Sequence, residues 1–287
     1  NNTEAWSHPK GIFFRPNGIS STAKVASLFS GQGSQYVNMA KEATNSFETI
    51  QQTIAAFDAK KGFDLANKIY PKPVFTDEDK AILEKNITNT EFVQPAIGAI
   101  SLGYYNVFKN AGFVSYMVAG HSFGELTALC ASGVLSDSDY MTLAVARGEA
   151  MAGKNTSGDA GTMLAVKAAA SEIQPLIKGV MGVSIANINS SSQIVLGGTT
   201  EGITKIKSLL DAKKYRSVLL AVSAAFHTEC VGHAQKPFEK SINDIKFSSP
   251  KIPVYSNATG NPYPVEANKI KNVLAQHILN SVDFKSE

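Results

Sequence analysis

Cysteine is scarce in this chain of 287 residues, which contains only Cys130 and Cys230. Two cysteines, one of them in an apolar helix-like segment, imply neither a disulfide framework nor a metal site. The chain does not open on a charged segment followed by an apolar one, and no apolar run approaches the ~18 residues that span a bilayer. We therefore expect a cytoplasmic protein with no membrane partner, no bound metal and no bound cofactor.

Net charge is also small, since 27 lysines and arginines face 24 acidic residues and leave a formal charge of +3. A dispersed charge of this size argues against a nucleic-acid partner. The chain is 44% hydrophobic, which is enough for one large domain or for a large and a small one. Because it begins at Asn1 and ends at Lys285-Ser286-Glu287 without a packing pattern, we expect it to be a piece of a longer protein.

What the chain does contain is a Gly-x-Ser-x-Gly turn, from Gly120 to Gly124. The apolar run over 113–119 precedes the turn and predicts a buried parallel strand. The segment that follows has Glu125 in its first turn and a glycine stop signal, so it predicts a helix. A strand-to-helix turn this tight strains its central residue, Ser122, and exposes the Ser122 Oγ at the helix N-terminus.

This turn suggests a chemical role. Ser122 is a candidate nucleophile, and the N–H of Phe123 points into the same space, where it is a candidate oxyanion donor. The alternative is an ordinary glycine-bounded turn with an unreactive serine. The strand before the turn and the helix after it favour the nucleophile.

A second glycine-rich turn lies near the start of the chain. Residues 25–29 predict a short strand, and the segment 30–35 follows it as a strand-to-helix junction. Such a loop can present a backbone N–H to an anion. Taken alone, a plain turn is an equally good interpretation.

Hydrophobic periodicity predicts the other elements of the larger unit. The predicted helices cover 46–70, 94–109, 137–152 and 269–279, with a loop over 70–80 and a strand over 252–255. Arg147 lies among the apolar residues of the third of these helices. A surface arginine whose charged end reaches solvent is the simplest interpretation of that position.

A different pattern occupies residues 158–221. The predicted order is strand, helix, strand, strand, helix and strand, over 163–166, 170–178, 183–189, 193–197, 201–213 and 217–222. This is the ferredoxin-like arrangement. We therefore predict an α/β protein with an α/β-hydrolase-like large subdomain, built on a parallel sheet, and an inserted ferredoxin-like small subdomain. The predicted division is a linker or strap over 1–23, the large subdomain over 24–157 and 222–287, and the small one over 158–221.

A serine near neutral pH needs a base to take its proton, and histidine has the matching pKa. His227 follows a predicted strand end on the return to the larger unit, where the catalytic loops of α/β proteins cluster. The other histidines lie in the strap, beside Ser122, in a polar stretch and in the last helix: His8, His121, His233 and His277. His227 is therefore the candidate base, and a buried structural histidine is the alternative.

Seven short segments form an ordered set along the chain. They are Gly31-Gln32-Gly33-Ser34-Gln35, Gly120-His121-Ser122-Phe123-Gly124-Glu125, Arg147 one helix later, Gly161-Thr162-Met163-Leu164-Ala165-Val166, Ala186-Asn187-Ile188-Asn189-Ser190, Ala225-Phe226-His227 and Pro253-Val254-Tyr255-Ser256-Asn257. In residues and order, the set resembles malonyl-CoA:acyl carrier protein transacylases, from about Lys24 to Phe284. Phe123 and the segment Thr90-Glu91-Phe92-Val93-Gln94-Pro95-Ala96 look most like the acyltransferase domains of polyunsaturated fatty acid synthases and related polyketide synthases.

The resemblance implies a Ser-His dyad. Ser122 would attack the thioester of malonyl-CoA, with His227 as general base and then general acid. The backbone N–H groups of Gln32 and Phe123 would hold the oxyanion, and Arg147 would bind the free carboxylate of the malonyl group. The acceptor would be the phosphopantetheine of an acyl carrier protein, and flanking domains such as a ketosynthase would be further partners.

The resemblance also implies a substrate preference. Phe226 matches the malonyl-selective form, in which the ring narrows the site against a 2-methyl branch. Asn187 and Asn189 match positions that line the cleft in relatives, although a turn-forming role suits them equally. His277 stands where relatives usually orient the catalytic histidine with asparagine or glutamine, and a backbone carbonyl there is an alternative means of orienting His227.

Two other classes of protein compete with this interpretation. A thioesterase or another serine hydrolase would need an acidic third member, and no carboxylate between Ser122 and His227 is compelling. A non-catalytic docking domain of a multienzyme would not need the nucleophile, the base, Arg147 and both glycine turns together.

Overall fold

A computed structural model describes residues 4–9, 11–18, 22–62, 64–153 and 158–287. The strands in these ranges are β1 (Trp6–His8), β2 (Ile12–Phe14), β3 (Ala26–Phe29), β4 (Met117–Gly120), β5 (Thr162–Val166), β6 (Val183–Ser190), β7 (Gln193–Gly198), β8 (Ser217–Leu219), β9 (Tyr255–Ser256), β10 (Asn261–Pro262) and β11 (Val282–Asp283). The helices are α1 (Lys41–Ser46), α2 (Glu48–Lys61), α3 (Leu65–Ile69), α4 (Asp77–Thr88), α5 (Thr90–Asn110), α6 (Gly124–Ala131), α7 (Asp137–Ala152), α8 (Ala170–Ile177), α9 (Thr200–Ala212), α10 (Gln235–Asn243) and α11 (Ala267–Gln276), with a 3₁₀ helix over Glu229–Ala234.

Two parallel strands position both glycine turns. β3 pairs with β4, so that Phe29 lies opposite Gly120, and Val118 bridges in parallel to Val254 on the other side. The carboxyl ends of parallel strands meet at one edge of a sheet, where ligands bind in α/β proteins. The segment 30–35 and the Gly-x-Ser-x-Gly turn therefore leave the sheet side by side.

The helices around this sheet enclose the larger of two hydrophobic cores. Helix α5 lies at its centre and packs against both α2 and α7. Nearly the whole first half of α5 is buried, which explains its alanines and glycines: a Cβ at Gly98 would lie 3.1 Å from the Phe123 ring. Close packing of α5 therefore brings its polar side chains against the nucleophile turn.

Three predictions about this part of the chain were wrong. The strand before the turn is β4 alone rather than 113–119, because the N–H of Phe113 still bonds Phe108 at the end of α5. Helix α5 begins at Thr90 rather than Gln94, since the Asn89 side chain caps it and Pro95 lies within the helix. Helix α4 lies partly in the predicted loop, and its Thr76 cap and acidic first turn are the signals that were missed.

The small sheet confirms the ferredoxin-like prediction. Its order is β8-β5-β7-β6, all antiparallel, and α8 and α9 pack against it around the second hydrophobic core. A fifth strand, β11, joins this sheet in parallel beside β6, with Val282 opposite Asn187. The C-terminal segment therefore connects the small sheet to the larger unit.

The predicted division into subdomains stays a prediction at the level of its boundaries. The boundary at residue 157 lies outside the described residues. The segment assigned to a strap contains an antiparallel hairpin of β1 and β2, in which the rings of Trp6 and Phe14 stack. Over the described ranges, no helix is both long and apolar enough to cross a membrane.

Candidate active site

The Gly-x-Ser-x-Gly turn has the geometry that its sequence predicts. Ser122 adopts φ 52°, in the left-handed region that is costly for a residue with a side chain. A Cβ at Gly120 would collide with the Gly124 carbonyl, and a Cβ at Gly124 would collide with the Phe29 carbonyl. Strand β4, helix α6 and the end of β3 are therefore in contact through backbone atoms, and only glycine fits at these two positions.

His227 is the histidine that the fold brings to Ser122. Its Nε2 lies 2.7 Å from the Ser122 Oγ. Its Nδ1 lies 3.1 Å from the carbonyl oxygen of His277 and 3.0 Å from that of Asn280. Carbonyl oxygens accept hydrogen bonds, so Nδ1 carries the proton and Nε2 accepts the Ser122 O–H. The imidazole is thus held in the tautomer that a general base requires.

The charge state of His227 is set by its surroundings. The side chain is buried. Burial, and then the Arg147 cation, lower the pKa of His227 to about 3. The ring is therefore neutral across the physiological pH range and able to take a proton from Ser122.

His277 meets His227 through its backbone, as the alternative interpretation of that position allows. Its carbonyl oxygen accepts the Nδ1–H of His227, while its imidazole turns away and lies 3.2 Å from the Asn257 Oδ1. Burial and the nearby Arg147 and His227 lower the pKa of His277 well below its usual value. Asn280 supplies the second carbonyl, and no side-chain pattern in the sequence indicates such a backbone contact.

The first glycine turn lies directly against the nucleophile turn. A Cβ at Gly31 would collide with the His121 carbonyl and stand 3.5 Å from the backbone nitrogen of Phe123. Gln32, the next residue, is half-buried at the same place. The two predicted oxyanion donors, the N–H groups of Gln32 and Phe123, therefore belong to adjoining loops.

Arg147 is not a surface arginine. It is 1% exposed and is the largest fully buried side chain among the described residues. One Nη1–H donates to the Gln94 Oε1 at 2.9 Å, and within the described ranges Nε and the other terminal nitrogen have no hydrogen-bond partner. Burial lowers the pKa of Arg147 to about 10. A guanidinium that keeps its charge here presents two unfilled donor groups, a strong attraction for an anion.

Gln94 links Arg147 to the first glycine turn, and sequence reasoning did not identify it. Its amide nitrogen lies 3.4 Å from the Gln32 Oε1, and the Gln32 amide lies 3.3 Å from the Thr90 Oγ1. Thr90 also contacts the Ser223 hydroxyl at 2.8 Å. Thr90 and Gln94 lie four residues apart on the buried face of α5, and that spacing of polar residues in an apolar helix is the signal that was available.

The other predicted residues surround this centre. Phe226 is buried directly before His227. Asn187 is buried in β6 beside β11. Asn189 contacts the His121 Nε2 at 2.8 Å and so joins the small sheet to the nucleophile turn. The roles predicted for these three residues towards a substrate stay predictions.

An additional buried network lies behind the turn. Glu125 is fully buried, and burial raises its pKa to about 8 even though it accepts hydrogen bonds from the Tyr263 hydroxyl and the Asn257 backbone. The neutral form therefore predominates near pH 7, and Arg147 has no full counter-charge from Glu125 there.

Fold and site together define a class, the α/β proteins that carry a serine on a strand-to-helix turn and a histidine on a crossover from an inserted subdomain. The chain belongs to the acyl transferase domain family, which matches residues 27–286.

Individual relatives are similar over most of the chain. A polyunsaturated fatty acid synthase of Thraustochytrium sp. has a large subunit that is 34% identical over 99% of this chain, which covers 10% of that relative. The polyketide biosynthesis malonyl CoA-acyl carrier protein transacylase BaeC of Bacillus velezensis is 31% identical over 89% of this chain and 84% of its own length. The solved complex of a type II polyketide synthase acyl-carrier protein with its malonyl-transacylase matches with TM-score 0.83 and 27% identity, over 91% of this chain and 83% of that one.

Proposed function

We propose that the chain transfers a malonyl group from malonyl-CoA, through an acyl-Ser122 intermediate, to the phosphopantetheine thiol of an acyl carrier protein. The observation that carries the proposal is the buried Arg147, whose guanidinium offers unfilled donors close enough to His227 to lower its pKa. A planar guanidinium binds a carboxylate through two parallel hydrogen bonds. A cation buried without a full counter-charge favours an acyl group that brings its own carboxylate.

The first half-reaction begins at the Ser122 Oγ. As the oxygen attacks the thioester carbonyl, the His227 Nε2 takes the Ser122 proton, and the N–H groups of Gln32 and Phe123 bind the negatively charged oxygen. The carbon–sulfur bond then breaks. The departing CoA sulfur takes the proton from His227, and malonyl-Ser122 remains.

The second half-reaction reverses the roles. The phosphopantetheine thiol gives its proton to His227 and attacks the acyl carbonyl, the bond to the Ser122 Oγ breaks, and Ser122 recovers the proton. Arg147 holds the malonyl carboxylate through both halves. Phe226, beside His227, would oppose a 2-methyl branch, although one methyl group discriminates by only about 1–3 kcal/mol.

The partners follow from the relatives. One solved relative is a complex of a malonyl-transacylase with its acyl-carrier protein, and this supports a carrier protein as the acceptor. Similarity to part of a much longer fatty acid synthase chain supports a place beside other synthase domains, such as a ketosynthase. A cytoplasmic location and the absence of a bound cofactor stay predictions.

Intact-mass measurement after mixing with malonyl-CoA tests the proposal. We expect a malonyl adduct on the wild-type protein, less adduct with methylmalonyl-CoA and acetyl-CoA, and none on Ser122→Ala. Transfer of the label to added carrier protein completes the test. CoA release without an adduct would indicate a hydrolase, and neither adduct nor CoA would indicate a non-catalytic domain.

A further inference from the structure

Asn257 lies directly behind the nucleophile turn and is fully buried. Its Oδ1 accepts the backbone N–H of Ser122 at 2.6 Å, and its Nδ2 donates to the Gly120 carbonyl at 2.7 Å. One amide therefore bonds both the last residue of β4 and the serine two positions later. His121 is the only residue between these two attachment points.

The orientation of this amide is determined by its other two partners. Nδ2 also donates to the Glu287 Oε1 at 2.6 Å, and a carboxylate oxygen can only accept from it. The Oδ1 therefore faces Ser122 and accepts a second bond from the His277 Nε2 at 3.2 Å. Both N–H groups and both lone pairs of the amide are filled, so the side chain has one favourable position.

The backbone of Asn257 is anchored as well. Its N–H donates to the Glu125 Oε2, and the Glu125 Oε1 accepts the Tyr263 hydroxyl. Glu125 is the second residue of α6. Contacts from both the strand end and the helix start therefore hold Asn257 against the turn.

Ser122 needs such support because its φ of 52° is unfavourable. A strained backbone of this kind costs about 1–3 kcal/mol and persists only where surrounding contacts over-determine it. We infer that Asn257 is a positioning residue that holds the Ser122 backbone in this conformation and so aims the Ser122 Oγ at His227. The inference rests on the proposed function, because it assumes that Ser122 is acylated.

His277 connects this support to the base. Its backbone carbonyl accepts the Nδ1–H of His227, and its imidazole donates to the amide that holds Ser122. The side chain of His277 therefore acts on the nucleophile through Asn257, and its backbone acts on the base.

The test compares acylation with binding in Asn257→Ala, which removes the amide and keeps the backbone bond to Glu125. Single-turnover release of CoA from malonyl-CoA gives the acylation rate, and we expect a loss of about 10²-fold, as for a reacting group misplaced by about 1 Å. Binding of malonyl-CoA, measured with Ser122→Ala present in both proteins, should change by less than about threefold.

Two controls separate positioning from lost stability. Ile69→Ala creates a cavity in α3, remote from the turn, and should lower Tm while acylation stays within about threefold of wild type. Asn261→Ala changes an exposed asparagine in β10 and should alter neither property.

A second variant covers the case in which Asn257→Ala fails to fold. Asn257→Asp keeps an acceptor for the Ser122 N–H, but the ionised form cannot donate to Gly120 or Glu287. The protonated form can act both as donor and as acceptor, as the amide does. Burial beside Glu125 and Glu287, with Tyr263 and His277 the other titratable groups in contact, favours that neutral form as pH falls. Acylation by this variant, relative to wild type, should therefore rise between about pH 8 and pH 5.5 while Tm is followed at each pH.

The outcomes separate the two proposals. A wild-type protein that forms no acyl-serine removes the proposed function and this inference with it. A wild type that is acylated beside an equally fast Asn257→Ala, or a loss no greater than in an Ile69→Ala protein of equal Tm, removes the inference alone. For Asn257→Asp, a rate ratio that does not change with pH counts against it as well.

Discussion

Ser122 and His227 face each other across 2.7 Å, and both backbones lie in the left-handed region, with φ of 52° and 60°. Each conformation is unfavourable for a residue with a side chain, so tertiary contacts must hold both. The turn glycines and Asn257 hold Ser122, while two carbonyls of the α11–β11 segment orient the ring of His227. The reactive pair is therefore positioned before any substrate binds.

Removal of the base should slow acylation without preventing folding. We expect His227→Ala to lower the rate of malonyl-Ser122 formation by about 10²–10⁴-fold, the usual contribution of a general base. Single-turnover CoA release measures this rate, and His233→Ala, an exposed histidine in the 3₁₀ helix, is the matched control. Equal losses in both variants would show that the effect is not specific to His227.

The pH dependence of acylation should lack the inflection that a solvent-exposed histidine produces. The neutral form of His227 is the base, and its pKa of about 3 keeps it neutral far below the usual value of 6.5. At saturating malonyl-CoA, the acylation rate should therefore stay flat as pH falls from about 8 to about 5. A fall in rate centred near pH 6.5 would contradict the neutral buried base.

Loss of the buried cation should change which acyl group is accepted. Arg147→Ala should lower kcat/KM for malonyl-CoA by about a hundredfold, since loss of a desolvated charge partner costs about 3 kcal/mol. The value for acetyl-CoA should fall less or rise, because acetyl has no carboxylate. Arg15→Ala, an exposed arginine, should leave both values as they are, and an unchanged malonyl preference in Arg147→Ala would remove its assigned role.

A methyl group on the first glycine turn should disturb the oxyanion donors. Gly31→Ala would place its Cβ against the His121 carbonyl and close to the Phe123 nitrogen, so the two loops must separate. We expect kcat to fall by about a hundredfold, as on loss of one oxyanion donor. Gly179→Ala is the control, because a Cβ there meets nothing within 4 Å. Equal kcat values in the two variants would contradict the assignment of this loop.

Stability should decrease as pH rises towards 8. Burial raises the pKa of Glu125 to about 8 and that of Glu287 to about 7. The folded chain then keeps protons that the unfolded chain releases above its ordinary carboxyl pKa, so folded-state stability is lost as pH rises through the folded values. Histidines, whose pKa values are lowered by burial, act in the opposite sense only below about pH 6.5.

Urea unfolding at two pH values measures this effect. Between about pH 6.5 and 8 we expect the wild-type free energy of unfolding to fall by about 2 kcal/mol for one retained proton. Glu125→Gln, which cannot ionise, should lose less over the same interval. An equal loss in the variant would show that Glu125 does not keep its proton.

Parts of the site could be predicted because they depend on local sequence. The spacing of two glycines around Ser122 is itself the requirement of a tight strand-to-helix turn, so the turn was visible without the fold. The βαββαβ order of the small subdomain was visible for a similar reason, since each element carries its own periodicity. Helix α5 was misplaced at its start because Pro95 is a helix-start signal that tertiary packing overrode.

The sequence by itself determined the residues that carry the chemistry, Ser122, His227 and Arg147, together with the class of fold that holds them. Only the tertiary structure decided how they are supported. The orientation of His227 depends on two backbone carbonyls, the unfilled donors of Arg147 depend on what packs around them, and the hold on Ser122 depends on an asparagine 135 residues away. These contacts join segments far apart in the chain, and no local periodicity or spacing records them, because they arise only when β4, α11 and the strand before Asn257 meet.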